Sequence, residues 1–503
     1  MTLHRTTTTK RLLALLASAC MVAVMGACSS NDGAQSQDKA ATQSSTVNPA
    51  GSVAIFTPAD GITISQQTPL SKWEKIVPEI VSSLKQEGVK SGDITVKTSS
   101  NLAKQSQGVQ DYVVDHINGS EHSSSKGGTT LVVAPVADLS ESDRQYGDYA
   151  GHDITWDSDA SDEDAKDYAQ SAQRLVSALR LAQNEDMRVV LVSNTLQGYV
   201  PDVYVPMATA EQIGKLQARE LVSKLELDKT SSNAPKQIEV LLPYDETDEH
   251  GDEEDTYFAQ HVFKGIWQIL GPYFKDGKAV SPSGTLTAST DESDWRSVAF
   301  ESAKAEQVKS TLAGRLGMDE DDTHPTRIDG IISCNDYVAK NVADELNKLG
   351  YTGSSADVNP SITISGIMDS ITGKKDLERK TVPSPTDASS DDDGDEESVD
   401  EENAQWPIIT GYGAYISSMP NIVNGKQWMT AMENRKTLAK DIARTCVRLN
   451  TTGKLSKFDF IGSTTVEGKK TPTIHEDVLA ISAGNLKKTL IEPSYISLAD
   501  AGL

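Results

Sequence analysis

The stretch IDGIISCNDYVAKNVADELNKLGY, Ile328 to Tyr351, places two short polar side chains, Asn335 and Asp336, where an apolar run stops and a helical period starts. An amide both donates and accepts and a carboxylate accepts twice, so such a pair can grip the hydroxyls of a small molecule. The run from Ile328 to Cys334 is nearly continuous in apolar residues, as expected for a parallel strand covered on both faces. Beyond it Val338, Val342, Leu346 and Leu349 recur at three- and four-residue steps, which predicts a helix with one apolar face. Asn335 and Asp336 are therefore expected at the carboxyl end of a strand, the edge where open α/β sheets bind ligands. Asn and Asp are also favoured helix N-caps, and the sequence leaves both roles open.

Other chemistries find less support. The chain has no nucleophile elbow, no Gly-rich phosphate loop, no HExxH and no CxxC, so no enzyme motif stands out. A pair of carboxylates for glycoside hydrolysis is defined by separation in space, and nothing in the spacing singles one out. The acidic run around Gly394 fails as an EF-hand, because Ser389 and Asp400 fall where Asp and Glu are required. His475 to Asp477, HED, reads as a solvated crossover segment. No metal or cofactor is expected.

The elements that must position Asn335 alternate along the chain. Strands are expected at SVAIFTP, DITVKTS, TTLVVAPVAD, MRVVLVSNT and PDVYVP. Helices are expected at TPLSKWEKIVPEIVSSLKQEG, with Thr68 as cap, a kink at Pro78 and a stop at Gly88, at SQGVQDYVVDHI, over Asp164–Asn184, and at TAEQIGKLQARELVSKL. A second series begins at KQIEVLLPYD. It adds helices at TYFAQHVFKGIWQIL and WRSVAFESAKAEQVKSTLAGRL, and strands at IDGIISC, SITISGI and WPIITG. Alternation of this kind implies α/β layers with parallel sheets. Two successive series imply two similar lobes whose strand ends face a common cleft.

Length, charge and cysteines fit an exported two-lobed chain. The 503 residues exceed one compact core. The net charge of −26 repels phosphate backbones, which argues against nucleic acid as a partner. Arg5, Lys10 and Arg11 precede an apolar run from Leu12 to Met25, and MGAC resembles a lipobox that would make Cys28 the lipidated mature N-terminus. Residues 1–27 would be the signal peptide and 28–50 a polar tether. Cys334 and Cys446 fall on distant elements and are expected as separate buried thiols. The segment 383–405 is an acidic insertion expected to stay solvated.

Several segments, in order, resemble periplasmic binding proteins of the type I sugar-binding class, nearest to the xylose-binding and multiple-sugar-binding members. IDGIISCNDYVA is similar to that family's strand ending in Asn-Asp, a corner that the resemblance implies lies in the inter-lobe cleft, with Asn335 reaching the ligand and Asp336 capping its helix. LVVAPVAD resembles its strand with a Pro-containing turn, and HVFKGIWQILGPYFKDGK the first helix of its second lobe. IVNGKQWMTAMENRKTLAKDIA is similar to the segment returning the chain to the first lobe, and TPTIHEDVLAISAGNLKKTLIEPSYIS to the last crossing and a final helix. The resemblance implies two doubly wound lobes joined by three crossovers, with 51–207 and 431–476 in the first lobe and 208–430 and 477–503 in the second. It implies a monomeric, extracytoplasmic lipoprotein, anchored to the membrane through Cys28, that hands a sugar to the permease subunits of an ABC importer. Its alternative is a sensory or structural surface lipoprotein with a weakened sugar site.

Ligand-binding candidates are Trp73, Asn194, Tyr257, Trp295, Asn335, Asp336, Asp369 and Tyr412, because sugars are held by planar hydrogen-bonding groups and by aromatic rings against their apolar faces. Trp73 matches the family's tryptophan after the first strand, and Asp369 enters through an alignment of SGIMDS with the family's Gly-Gln-Asp. The chain departs from the family at Asn194–Thr195, at Ala208–Thr209 and at Gly411–Tyr412–Gly413, where members carry charged or amide groups.

Overall fold

The computed structural model describes residues 50–60, 72–119, 127–137, 151, 153–157, 161–244, 256–301, 304–318, 325–356, 403–455 and 458–503. They belong to one compact unit, Asn48–Leu503. Its first elements are β1 (Ser52–Pro58), α1 (Lys72–Gln86), β2 (Ile94–Ser99), α2 (Leu102–Asn118), β3 (Thr129–Val133), β4 (Asp153–Ile154), α3 (Glu163–Asn184), β5 (Arg188–Ser193), β6 (Thr195–Leu196) and β7 (Val203–Pro206). Then follow α4 (Ala210–Lys224), β8 (Lys236–Val240), β9 (Leu242–Tyr244), α5 (Tyr257–Lys275), β10 (Ala279–Val280), β11 (Ala299–Glu301), α6 (Ala305–Arg315), β12 (Gly330–Ile332) and α7 (Asp336–Lys348). The last are β13 (Ile408–Thr410), α8 (Met419–Asn424), β14 (Met429–Met432), α9 (Arg435–Thr452), β15 (Ile461–Val466), β16 (Lys469–Ile474) and β17 (Leu479–Ser482).

The first sheet has the order β15-β16-β7-β5-β3-β1-β2 and is parallel except for the β15–β16 hairpin. Side chains alternate across it. Val53, Ile55, Val132, Val190 and Val192 pack with α1 and α9, whereas Ala54, Phe56, Leu131, Val133, Val189 and Leu191 pack with α2 and α3. Both faces are covered, which explains the unbroken apolar runs in the sequence. The second sheet has the order β10-β8-β12-β13-β14-β17, with only β17 antiparallel, and its core includes α4, α5, α6 and α7.

The chain passes between the sheets three times, from β7 to α4, from β14 to α9, and from β16 to β17. The two-lobed, thrice-crossed α/β architecture implied by the resemblance is the one observed. HED, His475–Asp477, lies in the third passage.

Local signals mostly held. The cap of α7 is Asn335, not Asp336 to which the resemblance gave that role, and Thr209 caps α4 in a reciprocal box with Gln212. Gly88, in the left-handed region at φ +94°, follows the end of α1. The start of α1 is bonded differently from the expectation. The Asp60 carboxylate accepts from Trp73 N–H at 3.2 Å and Glu74 N–H at 2.5 Å; Thr68, the expected cap, lies outside the described residues. Both described thiols are free and buried, and burial pushes each well above the usual cysteine range.

Two expectations are corrected. WRSVAFESAKAEQVKSTLAGRL is not one helix: Trp295–Ser297 is a single 3-10 turn, β11 follows, and α6 starts only at Ala305. Pairing of Ala299–Glu301 with Leu242–Tyr244 takes those residues into a sheet, so tertiary pairing overrides local propensity. The final segment holds no long helix: β17 pairs with β14, and a five-residue π-turn follows at Lys487–Ile491. SITISGI and the acidic insertion fall outside the described residues, apart from the insertion's end.

Candidate functional site

Parallel strands direct their carboxyl ends toward one edge of each sheet, and three of the seven described non-glycine residues in the left-handed region lie at or after such ends. Among described non-glycine residues in the left-handed region, Ser193 follows β5's last bonds at φ +67°, Cys334 follows β12 at +60°, and Ala414 follows β13 at +50°. Such conformations cost about 1–3 kcal/mol each and persist only where the surroundings impose them. At Cys334 the imposing group is Gln217 of α4. Its amide donates to the Cys334 carbonyl at 2.9 Å and accepts from the Thr410 hydroxyl at 3.1 Å.

The turn at Cys334 aims Asn335. Its backbone N–H donates to Ser333 O at 2.6 Å, and its side-chain Oδ1 accepts from Val338 N–H at 2.9 Å, capping α7. Its Nδ2 has no partner although the residue is 2% exposed. The neighbouring Ser333 hydroxyl, and the Thr57 hydroxyl at the carboxyl end of β1, are likewise buried without a partner. A buried donor left unpaired costs about 1–3 kcal/mol.

Asp336 has a different task. It is fully buried, and its carboxylate accepts from Gln427 Nε2 at 2.7 Å, the Thr430 hydroxyl at 2.8 Å and Tyr415 N–H at 3.0 Å. Its own N–H donates to Tyr412 O at 2.9 Å. Desolvation pushes its pKa up to about 6, against these hydrogen bonds. Asp336 thus ties the start of α7 to the 412–415 turn and to β14. This knot explains the departure at Gly411: a Cβ there would lie 2.5 Å from Asp336 Oδ1 and 2.6 Å from Gln427 Nε2.

The remaining sequence candidates are distributed as follows. Asn194 is buried behind Ser193 at the carboxyl end of β5, and its Nδ2 donates to Pro135 O at 2.8 Å, closing the β3 exit against β5. Gln105 holds the same exit through Ala134 O and Val136 N–H. Trp73 is built into the α1–α9 core. Trp295 is built into the second lobe's core, edge-on to Tyr244 at 5.8 Å and with Arg296 over its ring at 4.4 Å. Tyr257, half-buried in the first turn of α5, stacks on His261 at 4.0 Å. Tyr412 is fully buried, and desolvation, with Glu433 adding to it, holds its phenol well above the ordinary range. Asp369 and Cys28 lie outside the described residues.

Sequence reasoning missed the groups that join the three passages. Glu433, buried at the end of β14, accepts from Ala208 N–H of the first passage at 2.6 Å. Asn434 donates to Glu476 of the third at 3.3 Å. Arg435 lies over the Tyr495 ring at 5.5 Å, and Lys436 N–H donates to the Tyr495 hydroxyl at 2.9 Å. The polar run MENRK carried the available signal, since a strand ending in Glu-Asn before a helix repeats the pattern of Asn335–Asp336. Among the described residues no group of three or more His, Cys, Asp or Glu could hold a metal ion, and no helix is long and apolar enough to cross a membrane.

No family model and no curated protein matches the chain. Solved structures similar to it include an ABC transporter solute binding protein from Clostridium phytofermentans with bound β-D-glucose, 16% identical, covering 89% of this chain and 99% of that one at a TM-score of 0.49. A carbohydrate transporter solute binding protein from Chloroflexus aurantiacus, in complex with D-glucose, is 17% identical over 90% of this chain and 98% of that one, also at 0.49. A Caulobacter myo-inositol binding protein bound to myo-inositol is 14% identical over 90% and 98%, at 0.41. The chain is similar to ABC transporter sugar-binding proteins along most of its length.

Proposed function

We propose that this protein is an extracytoplasmic solute-binding protein, lipid-anchored at Cys28, that captures a mono- or oligosaccharide between its lobes and delivers it to an ABC importer without chemically changing it. The observation that carries the reading is the unpaired Asn335 Nδ2, held at a strained corner on the carboxyl edge of the second sheet. A ligand hydroxyl accepting from it would recover the cost of the buried donor. Ser333 and Thr57 offer further hydroxyls at strand ends in the second and first lobes. Asp336, Gln217 and Gln105 are positioning residues in this account. Of the aromatic candidates, half-buried Tyr257 is the ring we assign to a sugar face; Asp369 remains an assigned contact through SGIMDS.

The mechanism follows from the passages. A ligand bridging both lobes favours the closed arrangement by its differential affinity for that state. Glu433 to Ala208 and Asn434 to Glu476 couple the three passages, so they bend as a unit.

One observation favours a second reading, a sensory or structural surface lipoprotein with a weakened site. Trp73 and Trp295 are consumed by the cores, and Asn194 and Asp336 spend hydrogen bonds on their own chain. A thermal-shift screen of the intact chain against sugars, polyols and nucleosides separates the two. A ligand at a hundred times its dissociation constant adds about 2.7 kcal/mol of stability. A shift confined to one sugar class supports the receptor, and a flat response across the panel supports the second reading.

A further inference from the structure

Charge is unevenly placed on α9. The whole chain carries −26, yet this helix holds five basic residues, Arg435, Lys436, Lys440, Arg444 and Arg448, against one acidic residue, Asp441. Lys436, Lys440, Arg444 and Arg448 recur every fourth residue, so at 3.6 residues per turn they follow one slowly drifting face. The opposite face, with Leu438, Ile442, Cys446 and Leu449, is buried against the first sheet.

The two ends of the basic face differ. At the end near the passages, Lys436 is taken up by the Pro493 carbonyl and Tyr495. Toward the other end, Arg444 lies 4.8 Å over Phe460 and Arg448 lies 5.2 Å over Phe458, two half-buried rings stacked on each other at 4.8 Å. Arg444 also pairs with Asp441 at 3.3 Å. Among the described residues no carboxylate pairs with Lys440 or Arg448. Exposed acids nearby are Asp459, between the two rings, and Glu467 in the β15–β16 turn.

The same end of α9 fixes the chain's point of attachment. Asn450 Nδ2 donates to Ala50 O and Ser52 O, each at 3.0 Å. Exposed Lys454 follows the helix, and exposed Lys469 and Lys470 begin β16. Because β16 runs parallel to β1 in one sheet, these lysines lie on the amino edge from which β1 starts. Ala50 is 22 residue steps from Cys28, at most about 80 Å of chain, so an anchor at Cys28 tethers this edge within reach of the lipid, and the basic face decides whether it rests there.

We propose that the basic end of α9, with Lys454, Lys469 and Lys470, rests against anionic lipid headgroups and so orients the first lobe on the membrane. This rests on the reading of Cys28 as the lipid anchor. Each cation near such a surface strengthens attachment about fivefold, and the gain falls off within a Debye length of about 10 Å.

The test is co-sedimentation of the intact chain with vesicles of phosphatidylcholine alone and of phosphatidylcholine mixed with phosphatidylglycerol, at low and high salt. The comparison variant carries Lys454→Gln, Lys469→Gln and Lys470→Gln, three exposed side chains whose removal breaks no bond of the fold, and an unchanged melting temperature confirms it is folded. Wild-type protein is expected to prefer the anionic vesicles at low salt, with the variant losing about a hundredfold of that preference. Equal binding to both vesicle types, or no difference between wild type and variant, overturns the proposal; a partner that is an acidic protein would give that result. The anchor is read separately, from the mass of the N-terminal peptide. A Cys28 without acyl chains sinks the anchor reading, while the anionic-lipid preference still decides this one.

Discussion

The two lobes carry the same corner and use it differently. In the first, β5 ends on left-handed Ser193 and Asn194 N–H donates back to Val192 O at 2.9 Å; in the second, β12 is followed by left-handed Cys334 and Asn335 N–H donates back to Ser333 O at 2.6 Å. Both are tight three-residue turns of the rare, strained kind. Asn194 then spends its amide on Pro135 O, whereas Asn335 spends only its oxygen, on the α7 cap, and keeps its donor. The lesson is that a strained corner at a strand end is not in itself a site. What separates the two is whether the chain closes the corner upon itself.

The largest effect expected from breaking this comparison is at the support of the second corner. Asp336→Ala strands the Gln427 amide, the Thr430 hydroxyl and Tyr415 N–H, and should cost about 3 kcal/mol or more in denaturant unfolding. The raised carboxyl of Asp336 gives a second handle. Its neutral form is favoured in the folded state, so its contribution is fully present below about pH 4 and is lost as pH rises to about 6. Over that window the wild type should lose about 2 kcal/mol relative to Asp336→Asn, and parallel stability profiles would refute the assignment.

Gly411→Ala drives a methyl group into the same carboxylate and should destabilise by about 1–3 kcal/mol. Denaturation midpoints equal to wild type would mean that the 411–413 turn yields freely. The smallest effect is at the closed corner. Asn194→Ala removes the donor to Pro135 O without adding a buried charge, with a cost of about 1 kcal/mol in stability and no change in ligand affinity.

How much of this was legible depended on how local each cause is. The alternating layers and a helix cap at the Asn335–Asp336 corner follow from residues within a few positions of one another, and the sequence displays them, although the resemblance gives the cap to Asp336 and the structure gives it to Asn335. Asp60 reaching the start of α1, Glu433 reaching Ala208, and Gln217 holding Cys334 join residues 13, 225 and 117 apart. No spacing rule announces such pairs. Glu239 shows the same limit: fully buried within β8, it accepts from the Ser281 hydroxyl and Ser283 N–H and faces Arg315 at 3.7 Å. From the sequence it was one polar residue in an apolar strand. Trp295 was misread for a related reason, since its apolar spacing suits a helix and only the β9–β11 pairing redirects it.

The most direct measurement is calorimetric titration of the intact chain with the sugar selected by the thermal screen, repeated on Asn335→Asp. That change keeps an acceptor for the α7 cap while removing the free donor. The account predicts binding by the wild type and a loss of about five- to 150-fold in the variant, the equivalent of about 1–3 kcal/mol. Equal affinity in the two proteins would contradict it, leaving Asn335 with the cap alone.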